Sequence, residues 1–134
     1  MQLTKSIEQR IADARRNHQQ GYNCAQCVVM AFDDVASPEH LAALEAAAAP
    51  LGAGMGDMAH TCGCLSGAHM LTGALCYDGP ANKQQRYKEA AAFNAEWIRR
   101  HTFSACRDLK TKGHIPCMTL IEDTISQLHN TLGE

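Results

Sequence analysis

The sequence predicts an all-α protein, a compact bundle of five to six helices around a glycine-rich central turn. Three observations predict it. Apolar residues recur at helical spacing in several separated stretches. Alanine and glycine are heavily used while aromatics make up only 5% of the chain, which suits closely packed helices better than a sheet rich in Val, Ile and Tyr. No clear strand pair and no long-range repeat stands out. The 134 residues read as one cysteine-rich helical domain, 1–134, long enough for a real core.

The elements follow in order. Residues 3–18 read as the first helix, with Ile7 and Ile11 four apart on one face and Ala14 near them. Gly21 interrupts, and Asn23 caps a second helix over 23–32 with Val28, Val29 and Phe32 apolar. Ser37 followed by Pro38 is a start signal, and the third helix runs to about Ala49, where Pro50 stops it. Gly52, Gly54 and Gly56 make the central turn. Thr61 caps a fourth helix that continues through Leu75 with Gly63, Gly67 and Gly73 inside it. A helical glycine costs about 1 kcal/mol against alanine, so these positions serve close helix contact or close approach to a ligand. Tyr77–Asn82 is a turn around Asp78-Gly79-Pro80. The fifth helix, 81–105, has Tyr87, Ala91 and Ile98 among its apolar positions, with Trp97 packing beside them. After a loop over Thr111–Ile115, Pro116 takes the first position of a sixth helix, 116–129, whose Leu120, Ile121, Thr124, Ile125 and Leu128 form a core face.

The formal net charge is −2 and the basic residues form no block. The pairs Arg15–Arg16 and Arg99–Arg100 read as solvated helix faces, so nucleic acid is not an expected partner. The longest uncharged run, Ala46 to Gly56, is too short and too broken to span a bilayer, and no membrane partner is expected. The opening MQLTKSIEQR is polar and charged, unlike a signal peptide, so a cytoplasmic location is the default expectation.

Seven cysteines is the unusual number. An odd count in a reducing compartment argues against a disulfide framework and leaves metal, redox chemistry or core packing. Cys24-Ala25-Gln26-Cys27 puts two sulfurs on one side of a helix near its start, where free N–H groups lower a thiol pKa. The preceding segment reads as helix, which argues against a thioredoxin-like fold. In a full helix Cys62 and Cys64 point about 200° apart, so both join one centre only if the helix starts after them. Cys76 reads as a plain thiol. Cys106 ends the long helix and Cys117 opens the last, eleven positions on, so a turn can bring them together. Four thiolates from four segments suit an iron–sulfur cluster or zinc. His60 and His114 are weaker ligand candidates, His101 lies five before Cys106 and off the same face, and His18, His40, His69 and His129 read as ordinary surface or core residues. Asp57 reads as a turn or cap residue. No acidic pair, Ser/His/Asp arrangement or phosphate loop assigns a catalytic reaction.

The blocks Gly21-Tyr22-Asn23-Cys24-Ala25-Gln26, Gly52-Ala53-Gly54-Met55-Gly56 and Cys62-Gly63-Cys64-Leu65-Ser66-Gly67-Ala68, followed by Cys106 and Cys117, resemble the C-GCAxxG-C-C family of redox-active proteins from Gly21 to about Asp123. The family's recurring cysteines fall on Cys24, Cys62, Cys106 and Cys117. A domain of this kind occurs in split-Soret cytochromes, where it holds an iron–sulfur cluster. The resemblance therefore implies those four as ligands, and a cluster of 2Fe-2S type. Without a C-x-x-C-H, attached haem is not implied. Cys27 and Cys64 stand where the family commonly has small apolar residues. They are open to ligand exchange, a larger centre or a dithiol pair, and Cys64 joins the candidate metal ligands Cys24, Cys62, Cys106 and Cys117.

Three readings of function follow. The first is an iron–sulfur electron-transfer protein. The second is a thiol–disulfide oxidoreductase in which Cys24 or Cys27 attacks, the other resolves, and Cys62 or Cys64 relays. The third is a soft-metal protein for zinc or copper(I). In the bland alternative the cysteines are mainly core. A redox partner is implied by the first, and the small-residue faces suit a homodimer.

Overall fold

Ser6 sets the first helix. Its side chain accepts from the Gln9 N–H while the Gln9 side chain accepts from the Ser6 N–H, so α1 begins at Ile7 rather than at residue 3 and runs Ile7–Gln19. This computed structural model describes residues 2–133. Asn23 and Gln26 repeat the device for α2, Cys24–Met30. Ser37 caps α3, Pro38–Ala48, and a 3-10 turn over Ala49–Leu51 carries Pro50. Then come α4, Gly63–Cys76; a 3-10 turn, Pro80–Asn82; α5, Lys83–His101; α6, Cys106–Thr111; and α7, Cys117–Gly133. Among the described residues there is no strand, only an isolated antiparallel bridge between Thr61 and Ala105.

The all-helical expectation holds, but among the described residues the helices number seven rather than five or six. The difference lies in the expected helix 81–105. It stops at His101 because Thr102 adopts a left-handed φ of 75°, and a separate helix opens at Cys106. Cys106 therefore begins a helix instead of ending one. Pro116 sits just outside α7, its carbonyl accepting from the Leu120 N–H.

The α2 segment forms the centre, with Ala25, Cys27, Val28, Val29, Ala31 and Phe32 all fully buried. It packs against α1, α3, α4 and α7. The expected face of α7 is buried, extended by Leu132. On α5 the buried positions are Phe93, Trp97 and His101, four apart. The Trp97 indole N–H donates to Thr124 Oγ1 at 2.9 Å, which satisfies the donor it brings inside. Tyr87 and Ile98 were expected on that face, yet they are 62% and 38% exposed. Ile98 lies one residue past Trp97, about 100° around the helix.

Two of the three glycines of α4 make the helix pair possible. A β-carbon at Gly67 would stand 2.7 Å from the Ala25 carbonyl oxygen, and one at Gly63 would stand 2.6 Å from Cys24 Sγ. The two are one turn apart and face α2 together. Gly73 meets nothing within 4 Å, and no packing demand explains it.

Arg10 ties the ends of the chain to this centre. Wholly buried, it reaches Asp34 through both terminal nitrogens at 2.6 and 2.8 Å, donates to the Ala31 carbonyl and to His129 Nδ1, and lies over the Phe32 ring. Asp34 also accepts from the Thr4 and Lys5 backbone N–H groups. Burial alone would raise the Asp34 carboxyl pKa, but the hydrogen bonds from Arg10, Lys5 and Thr4 outweigh it and hold the group well below the usual carboxylate range. The stability this contributes is present above the unfolded-state value of about 3.9 and is lost as pH falls below it. Asp34→Asn leaves a buried guanidinium without its counter-charge, and denaturant unfolding at pH 7 should show a loss of about 3–5 kcal/mol. The variant should also lack the part of the wild-type acid destabilisation that sets in below about pH 4.

Candidate functional site

The site is built from backbone first. Ala53, Gly54, Met55 and Gly56 all have positive φ, from 52° to 93°, so the glycine-rich segment is a left-handed turn. Such a backbone costs an L-residue about 1–2 kcal/mol, and glycine at two of the four positions reduces the total. The turn is closed by Gly56 N–H on Gly52 O at 2.9 Å and Met58 N–H on Ala53 O at 2.7 Å. At Gly54 a β-carbon would lie 2.7 Å from Cys106 Cβ and from His60 O, so this glycine is where the turn admits α6. Beyond it, residues 58–62 run antiparallel to 104–107. Cys62 N–H donates to Ser104 O at 2.7 Å, Cys106 N–H to His60 O at 2.9 Å and Arg107 N–H to Met58 O at 2.8 Å. The segments carrying Cys62 and Cys106, distant in sequence, are thereby joined, and both cysteines line one cavity.

Thr61 was expected to cap the fourth helix, but Cys62 takes the cap position with extended backbone (φ −50°, ψ 133°) and the helix starts at Gly63. This resolves the opposed directions of Cys62 and Cys64. With Cys62 outside the helix and Cys64 in its first turn, both thiols reach Cys24.

Five of the seven thiols line one cavity of about 310 Å³: Cys24, Cys62, Cys64, Cys106 and Cys117. Each sits at the cap or first position of a helix, or one residue further in. Leu109, Leu120, Met58 and Ala53 supply apolar wall, and His18, Asn23 and Lys110 supply polar atoms. The Lys110 ammonium donates to Cys117 Sγ. Cys27 is not in the cavity; it is fully buried one turn deeper, with Sγ 3.6 Å from the Tyr22 carbonyl oxygen. Cys76 lines a different cavity, of about 590 Å³, with His69 and Arg86. His60 and His114 are exposed, and neither lines the thiol cavity. His18 and Lys110 were missed. Lys110 follows Cys106 by one helical turn, a spacing that signals proximity once a helix is known to start at Cys106. Nothing in the sequence around His18 marks it.

The thiols ionise unequally. Hydrogen bonds from Cys62 and Cys64, joined by the Ala53 and Ala25 N–H groups, pull the Cys24 pKa down to about 2 against the opposing effect of burial. The same contacts raise its neighbours: Cys62 is pushed up to about 12, chiefly by its bond to Cys24, and Cys64 well above the usual range. Burial, followed by the charges of Cys24 and Cys117, raises Cys106, with Lys110 acting the other way. Burial, then Cys24, pushes Cys27 up to about 12. The three neighbouring thiols thus behave as one acid whose first charge rests on Cys24.

The donors suit a group held by thiolates. Four helix starts present sulfur to one largely apolar space, and glycines at 54 and 63 remove the β-carbons that would crowd Cys106 and Cys24. Among the described residues, no three or more His, Cys, Asp or Glu side chains form a site that would hold a metal ion as they stand. No described helix is long and apolar enough to cross a membrane.

Residues 22–131 match the profile of the family described as "Putative redox-active protein (C_GCAxxG_C_C)". No curated protein and no solved structure matches the chain.

Iodoacetamide at pH 5 tests the electrostatics of the site. An ordinary thiol with a pKa of about 8.5 is almost wholly protonated there. In reduced, chelator-treated protein, one thiol per chain should be alkylated at that pH and peptide mapping should place it at Cys24. Cys27 should react only after unfolding. Equal labelling of all seven thiols, or none at Cys24, would contradict the assignment.

Proposed function

Because the chain belongs to the C-GCAxxG-C-C family of redox-active proteins, we propose that its thiol cavity holds an iron–sulfur cluster and exchanges electrons with a redox partner. The observation that carries this reading is the convergence of Cys24, Cys62, Cys106 and Cys117, from four helix starts, on one apolar-walled cavity. When bound, the cluster supplies one-electron chemistry at a potential set by net charge, hydrogen bonds to sulfur and solvent access. The protein's own part is to hold and tune it. Cys24 offers a thiolate at neutral pH. The bridge between residues 58–62 and 104–107 joins the segments that carry Cys62 and Cys106. Leu109, Leu120 and Met58 limit water, and Lys110 supplies positive charge and a hydrogen bond at Cys117.

The same donors also suit zinc or copper(I), which elemental analysis separates from iron. A dithiol made of Cys24 and Cys27 has less support, since Cys27 turns to the Tyr22 carbonyl and away from the cavity.

Protein purified without oxygen should be brown and contain iron and acid-labile sulfide in matching amounts. Serine at Cys24, Cys62, Cys106 or Cys117 should each remove most of both, whereas Cys76→Ser should not. A colourless protein without iron after anaerobic reconstitution would sink the cluster reading.

Lys110→Met removes a cation and a sulfur hydrogen bond from the site, both of which favour the reduced, more negative state. Redox titration should give a lower midpoint potential for this variant than for the wild type, with Lys110→Arg in between. An unchanged potential in a variant that retains its iron would remove Lys110 from the account.

A further inference from the structure

Cys64 lies outside the four-thiol set, yet it is fully buried on the cavity wall and in contact with Cys24. Glycine precedes it, and Cys24 Sγ stands 2.6 Å from where a Gly63 β-carbon would be. The Cys24 sulfur therefore lies over residue 63, flanked by the thiols of Cys62 and Cys64. Of these two, Cys62 is committed on its other side. Its backbone N–H is bonded to Ser104 O, next to the Thr61–Ala105 bridge that ties this strand-like segment to residues 104–107. Cys64 has no comparable tie to the second half of the cavity. Cys24 is half-buried, whereas Cys64 is fully buried, and both line the cavity.

We propose that Cys24 and Cys64 form a reversible dithiol–disulfide couple whose oxidant is a peroxide. The Cys24 thiolate attacks one peroxide oxygen; an S–O bond forms, the O–O bond breaks, and the departing hydroxide takes a proton to leave as water. The Cys64 sulfur then attacks the Cys24 sulfur. The S–S bond forms, the S–O bond breaks, and the Cys64 proton leaves with the hydroxide as a second water. In sum, two thiols and one hydrogen peroxide give one disulfide and two waters: the sulfurs lose two electrons, the peroxide gains them, and an external dithiol reverses the change. The bond uses the one cavity thiol that the four-thiol set leaves over. The couple requires no iron and stands or falls separately from the cluster.

The test uses the whole chain, reduced and freed of metal by a chelator, treated with one equivalent of hydrogen peroxide. Two thiols should be lost per peroxide, and cleavage before the aspartates, three of which lie between Cys24 and Cys64, should leave the two cysteine peptides joined. Fragmentation should place the bond on Cys64, and dithiothreitol should restore both thiols. In Cys64→Ala, checked for folding by circular dichroism, Cys24 should stop at the sulfenic acid and be trapped by dimedone. Cys64→Ser serves the same purpose if the alanine variant unfolds. Cys62→Ala should still form the Cys24–Cys64 bond. A wild-type bond from Cys24 to Cys62, a disulfide at Cys24 that persists without Cys64, or no loss of thiols would each overturn the proposal.

Discussion

The close approach of α2 and α4 at Ala25 and Gly67 is the constraint on which the rest of the structure depends. A methyl group at Gly67 would press on a backbone carbonyl, which cannot yield as a flexible side chain can. Gly63, one turn earlier, carries the same approach to the helix starts and lets Cys24 settle over it. Each helical glycine sacrifices about 1 kcal/mol of helix propensity. The burial of Val28, Val29 and Phe32 against the neighbouring helices offsets that loss, since each such fully buried side chain contributes on the order of 1.5–3 kcal/mol. The packing of the core and the meeting of the thiols are therefore one event. The helices cannot come this close without bringing Cys24 against Cys62 and Cys64.

Backbone hydrogen bonds join the second half of the cavity to the first, in addition to the side-chain packing of Leu109 and Leu120 in the core. The left-handed turn over 53–56 redirects the chain so that residues 58–62 lie along 104–107. Those bonds bring α6 and its Cys106 to the cavity that Cys62 lines, and the short connection to α7 then brings Cys117 to the same space. Arg10 fixes the opposite side, joining α1 to the segment after α2 and to His129 near the end of α7. The cavity is thus framed by elements from both ends of the chain.

Local signals in the sequence account for much of this. Ser37 with Pro38 and Asn23 with Gln26 mark helix starts by chemistry that acts within four residues, and the structure uses both. The apolar face of α7 was legible for the same reason, because its period is written in one contiguous stretch. The break after His101 was not legible. The segment Thr102-Phe103-Ser104-Ala105 holds no glycine or proline, and its extended course is set by hydrogen bonds to residues 58–62, a partner that periodicity cannot reveal. That one missed break concealed a helix, put Cys106 at the wrong end of one, and hid Lys110. At the C-x-x-C motif, the shared side of Cys24 and Cys27 was readable but the depth was not. Three residues advance a helix by about 4.5 Å, enough to move Cys27 out of the cavity wall and into the centre of the bundle.

Charge limits what the cavity can do. Helix starts favour thiolates through their free N–H groups, and five thiols use such positions. Yet once Cys24 carries its charge, Cys62, Cys64 and Cys106 are all driven toward the protonated form by that charge and by burial. Among the residues lining the cavity, Lys110 is the one lysine or arginine. A single ammonium cannot balance four thiolates in a space this poor in water, where unpaired charge is most costly. Full ionisation of the set therefore requires positive charge from the group it holds. In the proposed cluster, iron would supply that charge, and binding would release the protons held on Cys62 and Cys106. On the proposed cluster reading, the arrangement that makes Cys24 acidic and raises Cys62 and Cys106 would leave one thiolate ready to bind and two thiols that give up their protons on binding.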